Sequence, residues 1–331
     1  MTGYIIRRLG QSIIVVLGVT LITYFLLHLL VIHQGLDQSV RQILQNNRAT
    51  PQAIQQFVVQ NHFNKSLIVQ YLDFLKQLIT GDCPPGIAGS CHLGYSYQFN
   101  RTVDSLLATD LPRDLVLGGL SLILSLAIAI PVGVAQAVKR NKAVDYVGTG
   151  VSFILYSMPQ YAIALLLIQF LSISFHVFPA TVPPNSSAIS LLTTHLNATV
   201  LPVASLTLVT YAYFSRYMRS SAIDTLAQDY IRTARAKGLP ERLVLLRHLL
   251  RNSLIAVVTL VGLSIPVVIT GTLIIEQVFN LPGAGLEYYT AALRPDYEVM
   301  LGITVLVGVV TVVGNLMADI GYAILDPRIR Y

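Results

Sequence analysis

Five stretches of this 331-residue chain contain no Asp, Glu, Lys or Arg. They are Leu9 to Gly35, Leu115 to Val138, Tyr146 to Ser215, Asn252 to Ile275 and Val299 to Ala318. A helix needs about 20 apolar residues to cross the hydrocarbon core, so each stretch could span a membrane. The third is too long for one crossing and contains a loop signal, "FPATVPPNSS". We read it as two spans, near 146–175 and 198–215, which makes six spanning helices.

Composition supports a membrane protein. Only 11% of the residues are charged, compared with roughly 25% in an ordinary globular protein. Length alone would suggest two soluble domains, but the low content of charged residues argues against soluble domains. The predicted fold class is therefore an all-α integral membrane protein with six transmembrane helices. The apolar run after Arg8 is longer than the core of a typical secretory signal, and no small-residue cleavage motif follows it, so we read it as a retained first helix rather than a cleaved signal peptide.

Cationic residues indicate the orientation of the spans, because Lys and Arg at span ends resist translocation. With the amino terminus inside, 15 of the 22 Lys and Arg lie on the cytoplasmic side. The short external segments, 177–197 and 277–296, carry only Arg294. Six more lie between His33 and Arg113, in a segment too long for the rule to weigh heavily. Both termini are therefore predicted to be cytoplasmic.

These assignments divide the chain into three parts. Residues 1–33 hold the cytoplasmic amino terminus and the first span, 34–112 form an extracytoplasmic region, and 113–331 form the core with the other five spans. Within the core, residues 216–252 form a cytoplasmic loop. Apolar residues recur at helical intervals between Leu67 and Leu78, so one or two short helices are predicted outside the membrane.

The two cysteines, Cys83 and Cys91, both fall in the external region. The segment between them is rich in Pro and Gly, and an extracytoplasmic location permits oxidation, so a disulfide that closes the loop 83–91 is predicted. Free thiols are the alternative. A metal site that includes His92 is less well supported, because two Cys and one His do not match a recognised zinc spacing. No metal site is expected.

A dense basic segment, Asp229 to Ser253, holds six of the 22 Lys and Arg. Asp229 is a good first residue for a helix, Gly238 is a typical stop, and Pro240 suits the first turn of a second helix. The segment is thus predicted to form a helix, a tight turn and a helix on the cytoplasmic face. Its charge fits attraction to anionic lipid, but lipid attraction alone does not require a surface of small residues and a defined turn. The other interpretation is a docking element for a cytoplasmic partner.

Several motifs resemble those of one family. The run "DYIRTARAKGL", followed by "RHLLRNSLIAVVT", resembles the cytoplasmic EAA loop of ATP-binding-cassette (ABC) importer permeases, in the version found in the dipeptide, oligopeptide and nickel permease family. "YIIRRLGQSIIVVLGVTLITYFLL" resembles the first helix of its B-type permeases, "VFNLPGAGLEYYTAALRPDY" the last external loop, and "NLMADIGYAILDPRIRY" the carboxyl end. "LITGD" and "LGYSY" resemble a Gly-Asp-Leu-Gly stretch that "CPPGIAGSCH" splits here. The resemblance spans essentially the whole chain and implies the ABC importer type I permease fold.

The resemblance also implies which residues couple the chain to a motor. In the family, the short helix of the EAA loop sits in a cleft of an ATPase subunit. The residues that match it are Asp229, Arg232, Thr233, Ala234, Arg235, Ala236, Lys237, Gly238 and Leu239. Arg232 and Thr233 stand where the general pattern has Glu and Ala, which is usual in the peptide branch. This departure leaves the charge of the first contact open.

The partners and ligands follow from the same resemblance. The sequence contains no Gly-x-x-x-x-Gly-Lys-Ser/Thr loop, so the chain is not expected to bind ATP or to be an enzyme. The resemblance implies two cytoplasmic subunits that bind ATP and Mg, a second homologous permease and an extracytoplasmic solute-binding protein, in a prokaryotic inner membrane. Besides these and membrane lipid, no nucleic-acid partner or cofactor is expected. The implied substrate is a short peptide, with nickel chelates, glutathione and oligosaccharides as open alternatives.

Four polar residues in or beside the spans are candidates for the translocation pathway or its gate, because buried polarity is costly in lipid and often functional. They are Gln160, Glu276, Asn315 and Asp319. Plain helix packing is favoured over a pathway role for Gln160, and Glu276 fits an interfacial residue as well as a gate. Asn315 and Asp319 lie one turn apart on the sixth span, where interhelical hydrogen bonding is favoured over substrate contact. Pro131, Pro159 and Pro266 are predicted to kink their spans.

Two other classes of protein fit less well. A secondary transporter that works without ATP predicts ion-binding carboxylates at mid-membrane or an inverted repeat. The first five spans lack Asp and Glu through their interiors, and the sequence shows no repeat. A membrane-bound enzyme or sensor is not supported either, because the sequence shows neither metal-spaced His residues nor a nucleophile paired with a base.

Overall fold

The computed structural model describes residues 2–34, 40–41, 50–60, 63–84, 87, 89–270, 272–294 and 296–325. Most of these residues are helical. The helices are α1 (Thr2–Gln34), α2 (Pro51–Gln60), α3 (Leu67–Thr80), α4 (Val103–Val138), α5 (Ala143–Ser157), α6 (Gln160–Leu167), α7 (Ala188–Leu192), α8 (Leu196–Leu226), α9 (Asp229–Ala236), α10 (Glu241–Leu243), α11 (Leu250–Thr270), α12 (Leu273–Phe279), α13 (Ala284–Leu293) and α14 (Tyr297–Leu325). Two π-helical segments, Ile168–Ser174 and Val244–Leu249, follow α6 and α10. The short strands β1 (Tyr95–Ser96) and β2 (Arg101–Thr102) pair antiparallel.

Five helical segments in the described chain are long and apolar enough to cross a membrane. They are Gly10–Leu29, Val103–Val138, Leu196–Leu226, Glu241–Val268 and Tyr297–Ala318. A sixth candidate span is broken, because α5 and the helix that begins at Gln160 meet at 102°. The all-α membrane fold class predicted from the sequence is therefore confirmed, with five spans in the described chain and the predicted sixth if the bent pair forms one span.

Pro159 explains the break in that span. The proline has no N–H to donate to the preceding turn, and its ring disfavours a helical conformation at the residue before it. Met158 accordingly adopts an extended conformation, with ψ of 135°. The kink predicted at Pro159 is thus present, whereas Pro131 and Pro266 lie inside the continuous helices α4 and α11.

The chain divides into two compact units. Unit 1 comprises Met1–Pro112 and Pro282–Val310, and unit 2 comprises Arg113–Leu281 and Thr311–Tyr331. The long helices α4 and α14 contribute residues to both units. The large apolar side chains that remain exposed on the spans, such as Ile14 at 71%, suit a surface that is solvated by lipid rather than water.

Unit 1 has an aromatic core. Tyr24 of α1 packs with Tyr71 and Phe74 of α3, and Tyr297 of α14 belongs to the same buried cluster. The Tyr71 hydroxyl donates to the carbonyl oxygen of Leu17 at 3.1 Å, which fixes α3 against α1. The short helices predicted after the first span are therefore present as α2 and α3, and α3 docks on the first span. Cys83 and Cys91 form the predicted disulfide, so these thiols are not free.

Unit 2 is organised around α8. In its most apolar stretch, 61% of the residues of α8 are buried, compared with 22% for α4 and 17% for the span Glu241–Val268. Large side chains of α8, including Phe214 and Met218, are fully buried in one cluster with residues of α4, α9 and α11. Helix α8 also extends to Leu226, beyond the expected end of the fourth span at Ser215. A helix satisfies its own backbone hydrogen bonds in water as well as in lipid, so it need not end at the membrane surface.

Candidate functional site

The basic segment forms the predicted helix, turn and helix. We call residues Asp229–Leu249 the coupling hairpin. Helix α9 ends before Gly238, whose φ of +74° lies in the left-handed region that favours glycine. The N–H of Leu239 then donates to the carbonyl oxygen of Ala234 at 3.4 Å, and Pro240 precedes α10. The first helix thus begins at Asp229 and ends before Gly238, and the second helix begins after Pro240, as the sequence predicted.

The two faces of α9 differ. Ile231 and Ala234 are 0% and 5% exposed and pack with Val244 and Leu249. The other face is open to solvent: Asp229, Arg232, Thr233, Arg235, Ala236, Lys237 and Gly238. Of the nine predicted coupling residues, Ala234 therefore anchors the hairpin and Leu239 is half-buried. The remaining seven form a surface that a second protein could cover.

Arg235 bridges the two helices of the coupling hairpin. Its guanidinium donates to both carboxylate oxygens of Glu241, from Nη2 to Oε1 at 2.6 Å and from Nε to Oε2 at 3.1 Å. This hydrogen-bonded pair raises the pKa of Arg235 above its ordinary value. The contact between Arg232 and Asp229 is longer, at 3.5 Å, and both side chains are exposed. Exposed pairs of this kind contribute little stability, so Arg232 is available to a partner.

Small hydroxyl residues join α8 to α11 beside the hairpin. Ser221 of α8 donates to the carbonyl oxygen of Ser253 at 3.0 Å. The buried hydroxyl groups of Ser253 and Thr225 lie 3.1 Å apart, within hydrogen-bond distance. These hydrogen bonds join α8 to α11 close to the point where the coupling hairpin ends.

A cavity of about 360 Å³ lies inside unit 2. Its wall is built by α4, the broken span, α8, α11 and α12. The polar residues of the wall are Asp114, Ser121, Tyr156, Gln160, Thr210, Tyr213, Ser264, Thr272 and Glu276. Two of the predicted pathway residues, Gln160 and Glu276, therefore come together in one cavity although 116 positions separate them in numbering.

Two buried acidic residues belong to the cavity wall. Asp114 and Glu276 are 3% and 2% exposed, and no Lys, Arg or His is among the described residues that line the cavity. The sequence identified Glu276 but not Asp114, which directly precedes the charge-free stretch from Leu115. That position at the end of a span is the signal that could have marked it.

The structure does not place the other two predicted pathway residues in this wall. Asn315 is half-buried on α14 and does not line the cavity. Asp319 continues the same helix, but its side chain lies outside the described part of the structure. The alternative metal site of Cys83, Cys91 and His92 is not formed, because the two sulfur atoms are bonded to each other in the disulfide. In the part of the chain that the structure describes, no group of three or more His, Cys, Asp or Glu could hold a metal.

An ion pair that sequence analysis missed fixes the broken span to the central helix. Asp145 of α5 is bidentate with Arg219 of α8, with Nε to Oδ1 at 2.6 Å and Nη2 to Oδ2 at 2.8 Å. Asp145 also accepts from the N–H of Asn141 at 3.0 Å. Asp145 and Arg219 are 74 positions apart, so the sequence shows their charges but not their pairing.

Comparison with known proteins then decides the family. A family described as "Binding-protein-dependent transport system inner membrane component" matches residues 129–331, and its N-terminal counterpart matches residues 1–118. The chain belongs to this family of transport permeases. The resemblance to ABC importer permeases that the motifs indicated is thereby confirmed.

Similar proteins support the same assignment over the whole length of the permease. The oligopeptide transport system permease protein AppB of Bacillus subtilis is 36% identical, with full coverage of both chains. The dipeptide transport system permease protein DppB of the same organism is 30% identical, over 100% of the permease and 98% of DppB. The oligopeptide transport system permease protein OppB of Haemophilus influenzae is 34% identical, over 85% of the permease and 86% of OppB. The permease is therefore a membrane-embedded transport component.

Proposed function

We propose that this permease forms half of the translocation pathway of an ATP-driven importer of short peptides. The observation that carries the proposal is the cavity of about 360 Å³, whose wall belongs to the same bundle as the coupling hairpin. Similar proteins named as oligopeptide and dipeptide permeases favour a peptide over nickel chelates, glutathione or oligosaccharides. Both termini and the coupling hairpin lie on the cytoplasmic side in this proposal.

The proposed complex has five subunits. A second, homologous permease supplies the other half of the pathway, and an extracytoplasmic solute-binding protein delivers the peptide. Two cytoplasmic ATPases bind ATP and Mg, while the permease itself binds neither. The exposed face of α9, which carries Arg232 and Lys237, is the surface that an ATPase covers.

The proposed mechanism is a two-state switch. When two ATPases close around nucleotide, they displace the coupling hairpin. The hydrogen bonds that join Ser221 and Thr225 to Ser253 carry that displacement into α8 and α11. Both helices contribute to the cavity wall, so the cavity changes shape with the hairpin. ATP binding and hydrolysis thus bias the populations of an inward-open and an outward-open state.

The cavity also suits a peptide chemically. Amide and hydroxyl groups such as those of Gln160, Thr210 and Tyr213 offer hydrogen bonds to a peptide backbone, while leucines and valines of the same wall accept apolar side chains.

Charge reversal on α9 tests the coupling role. In the reconstituted five-subunit complex, Arg232→Glu together with Lys237→Glu should abolish peptide-stimulated ATP hydrolysis and peptide uptake, because two exposed cations of the docking face become repulsive. Arg235 is left intact, since its bond to Glu241 shapes the hairpin. The matched control reverses Lys139 and Arg140, two exposed cations of another predicted cytoplasmic segment, and should keep both activities.

The assay measures phosphate release and uptake of a labelled tripeptide by proteoliposomes. Normal stimulated hydrolysis in the α9 double variant would show that the hairpin is not the docking surface. Uptake of a nickel chelate, glutathione or an oligosaccharide in place of the tripeptide would overturn the peptide assignment while leaving the coupling role intact.

A further inference from the structure

Unit 1 contains a second cavity, of about 350 Å³, that the proposed pathway does not use. Aromatic rings line part of its wall: Tyr24 of α1, Phe63, Phe74 of α3, Tyr95 of β1 and Tyr97 directly after it. The rings of Tyr95 and Tyr97 meet edge to face with centroids 5.1 Å apart, and those of Tyr24 and Phe74 are 5.7 Å apart. Aromatic faces carry partial negative charge and attract cations.

Glu298 brings a carboxylate to this aromatic wall. Its Oε2 atom is buried and has no hydrogen-bond partner. Glu298 lies in the first turn of α14, where the helix dipole favours a negative charge. A buried carboxylate without a donor is costly, so a positively charged donor bound beside it would be stabilised.

Gly94 leaves the space that this carboxylate occupies. Its φ of +96° favours glycine, and a Cβ atom at this position would collide with the Oε2 atom of Glu298. The turn before β1 therefore lies too close to the carboxylate for any residue other than glycine at this position. This close approach shows that the local fold accommodates Glu298 at the cavity rather than turning it toward solvent.

The other charges of the cavity wall are already engaged or exposed. Asp73 forms an ion pair with Lys65 at 3.0 Å, and Asp82 accepts a hydrogen bond from Thr80 at 2.7 Å. Lys76, the one lysine among the described lining residues, has an exposed side chain. Glu298 is thus the carboxylate that remains for a ligand.

We propose that the aromatic cavity of unit 1 binds an organic ammonium group, with the Glu298 carboxylate as its counter-ion and the rings of Tyr24, Tyr95 and Tyr97 packed around its apolar body. A carboxylate next to aromatic rings distinguishes such a cation from a neutral or anionic molecule of the same shape. The proposal concerns a site separate from the cavity of unit 2, and it stands or falls independently of peptide transport.

Calorimetric titration of the full chain in lipid nanodiscs tests the site. The probes are phenylethylammonium and its neutral analogue 2-phenylethanol, and the cation should bind about tenfold or more tightly, a difference of about 1.4 kcal/mol. Glu298→Gln should remove this preference. The matched control is Asp73→Asn, which changes a lining carboxylate that already has a lysine partner and should keep the preference.

A second substitution keeps the test decisive if Glu298→Gln does not fold. Tyr95→Leu retains apolar volume but removes a ring, so it should weaken the cation several-fold and leave 2-phenylethanol nearly unchanged. Equal affinities for the two probes in the unaltered chain would overturn the proposal. So would a cation preference that survives Glu298→Gln, or one that Tyr95→Leu leaves undiminished.

The source of the ammonium group is distinguished by two further probes. The dipeptide Phe-Ala presents an amino terminus, and N-acetyl-Phe-Ala presents none. If Phe-Ala binds and N-acetyl-Phe-Ala does not, the ligand is the amino end of a peptide. Binding of phenylethylammonium but of neither peptide would identify a free amine. Binding of both peptides with equal affinity would contradict recognition of an ammonium group.

Discussion

The ion pair between Asp145 and Arg219 is the residue-scale contact with the largest expected effect on stability. Asp145 is nearly buried, whereas the Arg219 side chain is 28% exposed. Breaking it leaves a buried group without its charged partner, so Asp145→Asn should lower the free energy of unfolding by about 2 kcal/mol. Thermal unfolding of the chain in detergent should show a clear fall in midpoint.

The control for this prediction is a second ion pair of the same chain. Lys65 and Asp73 lie 3.0 Å apart, and both side chains are more than a third exposed. Lys65→Ala should therefore cost less than about 1 kcal/mol. Equal losses of stability in the two variants would mean that burial does not decide the strength of these pairs in this protein.

Individual residues also show which contacts could be predicted from the sequence and which could not. The disulfide of Cys83 and Cys91 and the stop at Gly238 depend on neighbours within ten positions, so local pattern sufficed to predict them. The pairing of Asp145 with Arg219 and the position of Asp114 in the cavity wall depend on which helices meet. A hydropathy pattern identifies spans but carries no information about which faces of two distant spans touch.

At the scale of elements, α11 and α14 meet through small residues. A Cβ atom on Gly262 would lie 3.0 Å from the carbonyl oxygen of Gly314 and would collide with the side chain of Ala318. Small residues of this kind let two helix backbones approach closely in a membrane. This contact could not be predicted from sequence, because many glycines of the spans have no such neighbour.

Two glycine-to-alanine substitutions should therefore have different effects on the free energy of unfolding. Gly262→Ala should destabilise the chain by about 1–3 kcal/mol through overpacking. Gly119→Ala on α4, where the added atom meets nothing within 4 Å, should be neutral or stabilise the chain by up to about 1 kcal/mol. Thermal midpoints of the two variants provide the comparison. A stabilising Gly262→Ala would show that α11 and α14 are not closely packed.

At the scale of the whole molecule, α8 connects the cavity of unit 2 with the coupling hairpin. Leu206, Thr210 and Tyr213 belong to the cavity wall, and Ser221 and Thr225, further along the same helix, bond to Ser253. A long helix whose interior is mostly buried moves as one body, because its backbone hydrogen bonds and its packing resist local bending. Motion at the hairpin and motion at the cavity are therefore expected to be coupled through α8.

Filling the cavity separates transport from ATP hydrolysis and so tests this arrangement in the assembled importer. Ser264 lines the cavity, and its hydroxyl bonds only within its own helix, to Leu260 at 2.7 Å. Ser264→Phe should place a ring in the cavity and remove most peptide uptake by proteoliposomes, while basal ATP hydrolysis continues because the coupling hairpin is untouched.

Ala204→Phe is the matched control for that substitution. Ala204 lines a separate apolar groove of about 320 Å³ in the same unit, between α4 and α8, so the variant adds a ring of the same size near the same helices. Uptake should stay close to that of the unaltered permease. If Ser264→Phe transports peptide as well as Ala204→Phe does, the cavity is not on the path of the substrate. If both variants lose uptake together with basal hydrolysis, α8 packing rather than cavity volume is the sensitive feature.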